Sequence, residues 1–158
     1  MPARAFKIGI VGGGPGGLYL ALLTKKARPD WQIDVYEQNS ADDTFGFGVV
    51  FSDETLEEFL SRDPPSYAAI TDAFAYWDDI VIRYKGREIR CGGNGFAGCS
   101  RLALLSILQQ RCEELGVAIH YRHAIEDVSQ LDDCDVIVAA DGINSRIRET
   151  FRNSSSRR

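Results

Sequence analysis

The stretch from Phe6 to Glu37 constrains this chain more than any other. Phe6-Lys7-Ile8-Gly9-Ile10-Val11 is a short apolar run with β-branched residues, the pattern of a buried strand. Gly12-Gly13-Gly14-Pro15-Gly16-Gly17 follows with no gap, and an apolar-rich run then extends to Ala27. Trp31-Gln32-Ile33-Asp34-Val35-Tyr36-Glu37 reads as a second strand. Gly12, Gly14 and Gly17 fit the G-x-G-x-x-G spacing, and each has a physical task. Gly12 lets the chain turn tightly off the strand, Gly14 lets a pyrophosphate approach the backbone, and Gly17 lets the helix pack close to the strand. Pro15 suits the first helical turn, where its missing N–H removes no hydrogen bond. The helix start at Pro15, Gly16 and Gly17 then presents free N–H groups and a partial positive charge to a phosphate. Leu18, Leu20, Ala21, Leu22 and Leu23 supply a broad apolar face. Glu37 stands 20 residues past Gly17, where a carboxylate accepts hydrogen bonds from an adenosine ribose. Together these features predict a βαβ unit that binds a dinucleotide. The unit leaves FAD and NAD(P) both open, although the Glu37 carboxylate disfavours NADP because it repels a 2′-phosphate.

At 158 residues the chain is long enough for one domain with a real core. A net charge of −5 with no basic stripe argues against nucleic-acid binding. No apolar run approaches the ~20 residues that span a bilayer, and Met1 to Ala5 lacks the pattern of a signal peptide. A cytoplasmic protein without a membrane partner is expected. Cys91, Cys99, Cys112 and Cys134 lie far apart with no C-x-x-C pair, so thiols are expected rather than a disulfide, and no metal site.

Further along, Gln38 to Asp43 is a polar turn, and Thr44-Phe45-Gly46-Phe47-Gly48-Val49-Val50-Phe51 alternates glycine with bulky apolar residues. That alternation fits a bulged strand, or close approach of another backbone or a flat ligand. Ser52 or Asp53 caps a helix that buries Leu56, Phe59 and Leu60, and Asp63-Pro64-Pro65-Ser66 stops it. Residues 67–76 fit a short helix or a loop. Trp77 to Tyr84, Lys85-Gly86 and Arg87 to Cys91 form a hairpin, and Cys91 to Gly98 a glycine-rich loop. Ser100 caps a helix from Arg101 to Leu115, lined by Leu102, Leu104, Leu105, Ile107, Leu108 and Cys112, and Gly116 ends it. Val117 to Tyr121 is a short strand. Asp135 to Ala140 is a buried parallel strand that leads into Asp141-Gly142 and a helix capped near Asn144 or Ser145. His120 and His123 fall in a strand and a turn with no catalytic role, and Asp132-Asp133 in a solvated turn.

Three marked sites now stand in order: the glycine loop with Glu37, Arg101 opening a leucine-patterned helix, and Asp141-Gly142-Ile143-Asn144-Ser145-Arg146 after a buried strand. In these the chain resembles the single-component flavin-dependent aromatic hydroxylases related to p-hydroxybenzoate hydroxylase. Asp43 to Asp53 and Trp77-Asp78-Asp79-Ile80 narrow the resemblance to the branch acting on salicylyl-CoA or 2-aminobenzoyl-CoA. The resemblance spans nearly all of residues 6–150.

It implies an α/β fold: a Rossmann-like FAD-binding domain of the GR2 type over residues 1–150, with an inserted β-hairpin, incomplete relative to the family and followed by a disordered tail at 151–158. It implies FAD as cofactor, NADPH or NADH as co-substrate, and O₂ with a small, CoA-linked aromatic compound as substrates. By the same resemblance Gly12, Gly14, Pro15, Gly16 and Gly17 meet the FAD pyrophosphate and Glu37 the adenosine ribose. Gly46 and Gly48 lie on the path to the flavin, Arg101 pairs with phosphate or ribityl oxygens, and Asp141-Gly142 touches the ribityl or pyrophosphate region. The plain reading of Asp141-Gly142 is a strand-to-helix turn. No residue has to act as nucleophile or general base, so none is assigned as catalytic. The family's later Gly-Asp motif and substrate sheet do not occur in these residues, so this stretch alone is expected to show no hydroxylation. Two other readings stay open: another FAD- or NAD-dependent oxidoreductase sharing the βαβ unit, and a non-catalytic truncated fragment.

Overall fold

The computed structural model describes residues 4–93 and 95–152, which group into two compact units. The first comprises the N-terminal segment through Asp43 and the segment from Leu105 onward; the second is Thr44–Leu104.

In the first unit, β1 (Lys7–Val11), β2 (Gln32–Tyr36), β8 (Ala118–His120) and β9 (Val136–Ala139) form a parallel sheet in the order β8-β2-β1-β9. Helix α1 (Pro15–Ala27) connects β1 to β2. Ile10 lies opposite Val35 on one side and Val138 on the other, so these side chains share a face. Ile10, Ile33, Val35, Leu18, Leu22 and Leu108 are all fully buried, each worth about 1.5–3 kcal/mol of removal from water. Leu20, expected in this face, is 41% exposed. The buried stripe of α1 is Leu18, Ala21 and Leu22, and Leu20 lies about 200° around the helix from Leu18.

The opposite sheet face carries Val11, packed with Ile125, Leu131 and Ile147 and bordered by Tyr36 and Ile137. Lys7 shares this face: its ammonium lies 3.3 Å from Asp34 and also binds the Asp133 carboxylate. The Asp133 hydrogen bond holds Lys7 above its ordinary pKa and Asp133 below its own. The turn at Asp132-Asp133 is therefore solvated, as expected, but also tied to β1. Helix α5 (Arg146–Arg152) follows β9, with Ser145 Oγ accepting from Arg148 N at 3.0 Å. It extends through Arg152, into the stretch 151–158 expected as a tail; that stretch lies outside the described residues from residue 153 on.

In the second unit, β3 (Gly48–Phe51), β7 (Phe96–Ser100) and β4 (Ala75–Trp77) form an antiparallel sheet in the order β3-β7-β4. Strand β7 corrects the expectation of a glycine-rich loop from Cys91 to Gly98. Gly98 sits there because a Cβ would stand 2.6 Å from the Val49 carbonyl oxygen, so this glycine serves strand approach rather than a turn. Helix α2 (Asp53–Arg62) is capped by Ser52, whose Oγ accepts from Thr55 N at 3.3 Å. None of its residues is fully buried, and Leu60, expected inside, is 47% exposed. Phe59 instead meets Phe51 edge-on at 6.1 Å. The Asp63-Pro64-Pro65-Ser66 stop also starts a new helix, α3 (Pro64–Asp72), because buried Asp63 accepts from Ser66 N at 3.2 Å and Ser66 Oγ at 2.6 Å.

The hairpin forms from β5 (Ile80–Tyr84) and β6 (Arg87–Cys91), but Trp77, expected at its start, belongs instead to β4 and pairs with Phe96 of β7. Lys85 and Gly86 both have positive φ, 47° and 75°, as its two-residue turn requires.

Helix α4 (Arg101–Glu114) starts in the second unit and ends in the first. Leu104, Leu105, Leu108 and Cys112 are buried, but Leu102, two residues before Leu104 and about 200° around the helix from it, is 41% exposed. No disulfide joins the four cysteines. Cys112 is fully buried and its thiol contacts the Leu18 carbonyl at 3.3 Å; burial pushes its pKa up to about 12. Cys112 is expected to resist alkylation at pH 8 until the protein is unfolded, whereas exposed Cys91 reacts in the native state; peptide mapping after pulse labelling measures both.

Candidate functional site

The glycine loop sits at the carboxyl end of β1, between the ends of β2 and β9. Gly12 N donates to Tyr36 O at 2.8 Å, and Ala140 N donates to Val11 O at 2.7 Å. Gly12 adopts φ +111°, and a Cβ there would stand 2.3 Å from the Ala140 carbonyl oxygen. A Cβ on Gly17 would stand 2.1 Å from the Gly12 carbonyl oxygen. Both glycines are thus required by the fold itself.

Gly14 differs. Its backbone is extended, with φ −72° and ψ 173°, and a Cβ there would meet nothing within 4 Å. No side chain caps the helix that starts at Pro15, so the N–H groups of Gly16 and Gly17 belong to an open helix N-terminus. A helix start left open above a glycine that the protein does not itself need fits a phosphate group.

Glu37 lies just beyond β2, half-buried, and its carboxylate folds back onto this loop. Oε2 accepts from Gly13 N at 2.8 Å, and Oε1 accepts from Asn39 N and Asn39 Nδ2, each at 2.8 Å. The structure therefore brings Glu37 together with the glycine loop, as the motif predicts. Gly13 and Asn39 are the contacts that the motif does not reveal. A Cβ on Gly13 would stand 2.9 Å from Glu37 Cβ, a constraint visible only once the acid is seen to fold back.

Asp141 follows β9 beside the same loop. Its Oδ2 accepts from Arg146 N at 3.0 Å and so caps α5, the strand-to-helix turn of the plain reading. Its Oδ1 is buried and has no hydrogen-bond partner among the described residues. Gly142, with φ +85°, supplies the left-handed turn.

Gly46, Gly48 and Arg101 belong to the second unit. Gly48 pairs with Ser100, and its missing Cβ would stand 2.9 Å from the Cys99 carbonyl oxygen, so Gly48 serves close strand approach. Gly46 has φ +99°, and the atom nearest to a Cβ there would be Arg101 Cδ at 3.7 Å. Arg101 N donates to Phe47 O at 3.2 Å, while its Nε is buried without a hydrogen-bond partner among the described residues. A buried, unpaired guanidinium N–H is costly, and an anion or sugar oxygen is the group that satisfies it.

His120 and His123 both contact the Tyr36 ring, at 4.9 and 5.2 Å. Among the described residues no cluster of His, Cys, Asp and Glu is arranged to hold a metal, and no helix is long and apolar enough to cross a membrane.

The fold is shared with known structures. The chain superposes on 2-methyl-3-hydroxypyridine-5-carboxylic acid oxygenase with a TM-score of 0.76 at 20% identity, covering 94% of this chain and 43% of that one. It superposes on a putative FAD-containing monooxygenase from Photorhabdus luminescens with a TM-score of 0.68 at 23% identity, covering 94% and 43% respectively. The fold is that of the N-terminal part of FAD-dependent monooxygenases. By sequence the chain is similar to salicyloyl-CoA 5-hydroxylase of a Streptomyces species, 46% identical over 145 residues, which are 92% of this chain and 28% of that enzyme. The resemblance read from Asp43 to Asp53 and from Trp77 to Ile80 thus agrees with the alignment, and the chain spans less than a third of the length of this relative. No family model matches the chain.

Proposed function

We propose that residues 1–150 are the FAD-binding portion of a cytoplasmic, NAD(P)H-dependent monooxygenase that hydroxylates an aromatic CoA thioester such as salicylyl-CoA or 2-aminobenzoyl-CoA. The observation that carries this reading is the open Gly14 beneath an uncapped helix start, with the Glu37 carboxylate on the same loop. The 46% identity to salicyloyl-CoA 5-hydroxylase supports the choice of substrate class.

FAD supplies the redox and oxygen chemistry when bound; the protein binds it, orients it and excludes water. The amides of Gly14, Gly16 and Gly17 face its pyrophosphate, and Glu37 accepts from its adenosine ribose. Among the described residues Asp141 Oδ1 and Arg101 Nε each lack a hydrogen-bond partner; the first suits a ribityl hydroxyl and the second a phosphate or ribityl oxygen. Gly46 turns the backbone beside Arg101 and Gly142 turns it beside Asp141, and Gly48 lets β3 approach β7, the strand that leads into Arg101. A carboxylate at position 37 rejects a 2′-phosphate, so this loop holds FAD rather than NADPH.

Glu37→Ala is expected to weaken FAD by about 1.5–3 kcal/mol, the worth of a hydrogen bond to a charged group, and to leave FMN, which lacks the adenosine, unaffected. Fluorescence titration of both flavins against wild type and variant measures this. Equal FAD affinity in the two proteins contradicts the assignment of Glu37.

A further inference from the structure

We propose that Asn39 is a positioning residue for the adenosine ribose: it occupies Oε1 of Glu37 and leaves the ribose a single acceptor, on Oε2. This inference rests on the FAD reading above and extends it.

An ionised carboxylate offers about four lone-pair directions. Among the described residues, Asn39 N and Asn39 Nδ2 fill the two on Oε1, each at 2.8 Å, and Gly13 N fills one on Oε2, also at 2.8 Å. One direction stays open, on the oxygen already tied to the glycine loop.

Asn39 is itself held in place. Its carbonyl accepts from Arg122 N at 3.0 Å, and the turn after it is closed by Ser40 Oγ donating to Asp43 at 2.7 Å. The Glu37 backbone is fixed to the same seam, Glu37 N donating to His120 O at 2.9 Å and His123 N donating to Glu37 O at 2.8 Å. The carboxylate plane is therefore set before a ligand arrives, and neither oxygen can turn without breaking contacts to Asn39 or Gly13.

A vicinal diol gripped by both carboxylate oxygens needs one open direction on each. Here the ribose hydroxyls find only one, so Glu37 recognises one of the 2′- and 3′-hydroxyls and not the pair. A residue two positions after the acid thereby decides how the acid reads the sugar.

The test uses FAD and its 2′-deoxyadenosine and 3′-deoxyadenosine analogues, titrated into the full chain as wild type, Asn39→Ala and Asn39→Leu. Circular dichroism confirms folding of each variant. The wild type is expected to bind one analogue about tenfold more weakly than FAD and the other within about twofold, as fits the loss of a single charged hydrogen bond. In Asn39→Ala, which keeps the backbone donor but opens the direction on Oε1 that Nδ2 fills, the gap between the analogues is expected to shrink below about threefold while FAD binding weakens. Asn39→Leu, which keeps the approximate shape but lacks the donor and adds no charge, gives the same result and serves if the alanine variant does not fold. Equal losses with both analogues in the wild type overturn the proposal. So does a uniform loss for all three ligands in the Asn39 variants, which marks a merely structural role. If Gly14→Val abolishes FAD binding while the Asn39 variants keep the wild-type discrimination, this inference falls and the FAD reading stands; if the wild type binds no FAD, both fall.

Discussion

Gly17→Ala is expected to destabilise the protein by about 3 kcal/mol or more, whereas Gly16→Ala, one residue earlier in the same helix, is expected to leave stability unchanged or raise it by up to about 1 kcal/mol. The contrast follows from what each new methyl group meets. At Gly17 it would stand 2.1 Å from the Gly12 carbonyl oxygen and 3.3 Å from Ala140 Cβ. That oxygen is backbone at the end of β1 and cannot rotate away, so α1 itself has to lift from the sheet. Lifting it uncovers Leu18 and Leu22, both fully buried against β1 and β2. A loss of this size is a large share of the ~5–15 kcal/mol by which a domain is stable. At Gly16 the methyl group meets nothing within 4 Å, and alanine is the better helix former. Urea denaturation of the three proteins, followed by circular dichroism, gives both numbers.

Gly14→Val is expected to separate binding from folding. Stability should change by less than about 1 kcal/mol, while FAD affinity falls at least about a hundredfold. Gly14 has an ordinary negative φ in an extended conformation that suits valine, and its Cβ position is open. The fold thus gives no reason for glycine there, in contrast to Gly12 and Gly17, and only a ligand needs the space. A branched side chain at that point stands between the pyrophosphate and the helix amides. Parallel thermal melts and FAD titrations check the two halves of the expectation.

These glycines show how far the sequence was legible. The motif marks Gly12, Gly14 and Gly17 alike, and spacing alone finds all three together with Glu37, because a βαβ unit fixes where the second strand must end. Spacing does not separate glycines that the fold requires from the one that a ligand requires; that takes the position of the Gly12 carbonyl under α1 and of Ala140, which β9 brings near from more than a hundred residues away. The same limit hid β7. Gly92-Gly93-Asn94-Gly95-Phe96-Ala97-Gly98 reads as a loop because glycine is read locally as a turn residue, yet Gly98 answers to Val49 on a neighbouring strand. Asp63-Pro64-Pro65 was legible as a helix end but not as the next helix start, since a capping aspartate followed by proline signals both. Leu20, Leu60 and Leu102 have the apolar character of a buried face without being buried, because which side of a helix is covered depends on its partners.

Asn39 was illegible for a different reason. Its side chain acts on Glu37 rather than on a ligand, and nothing in an Asn two residues after an acid marks it until the hydrogen bonds are seen.

The most direct test of the central claim is a titration of the ¹⁵N-labelled chain with FAD, following the backbone amide resonances. The account predicts saturable one-to-one binding that shifts the amides of Gly14, Gly16 and Gly17 and of the Glu37–Asn39 segment, with NADPH failing to shift the same set. No saturation, or saturation that leaves the glycine-loop amides in place, contradicts it.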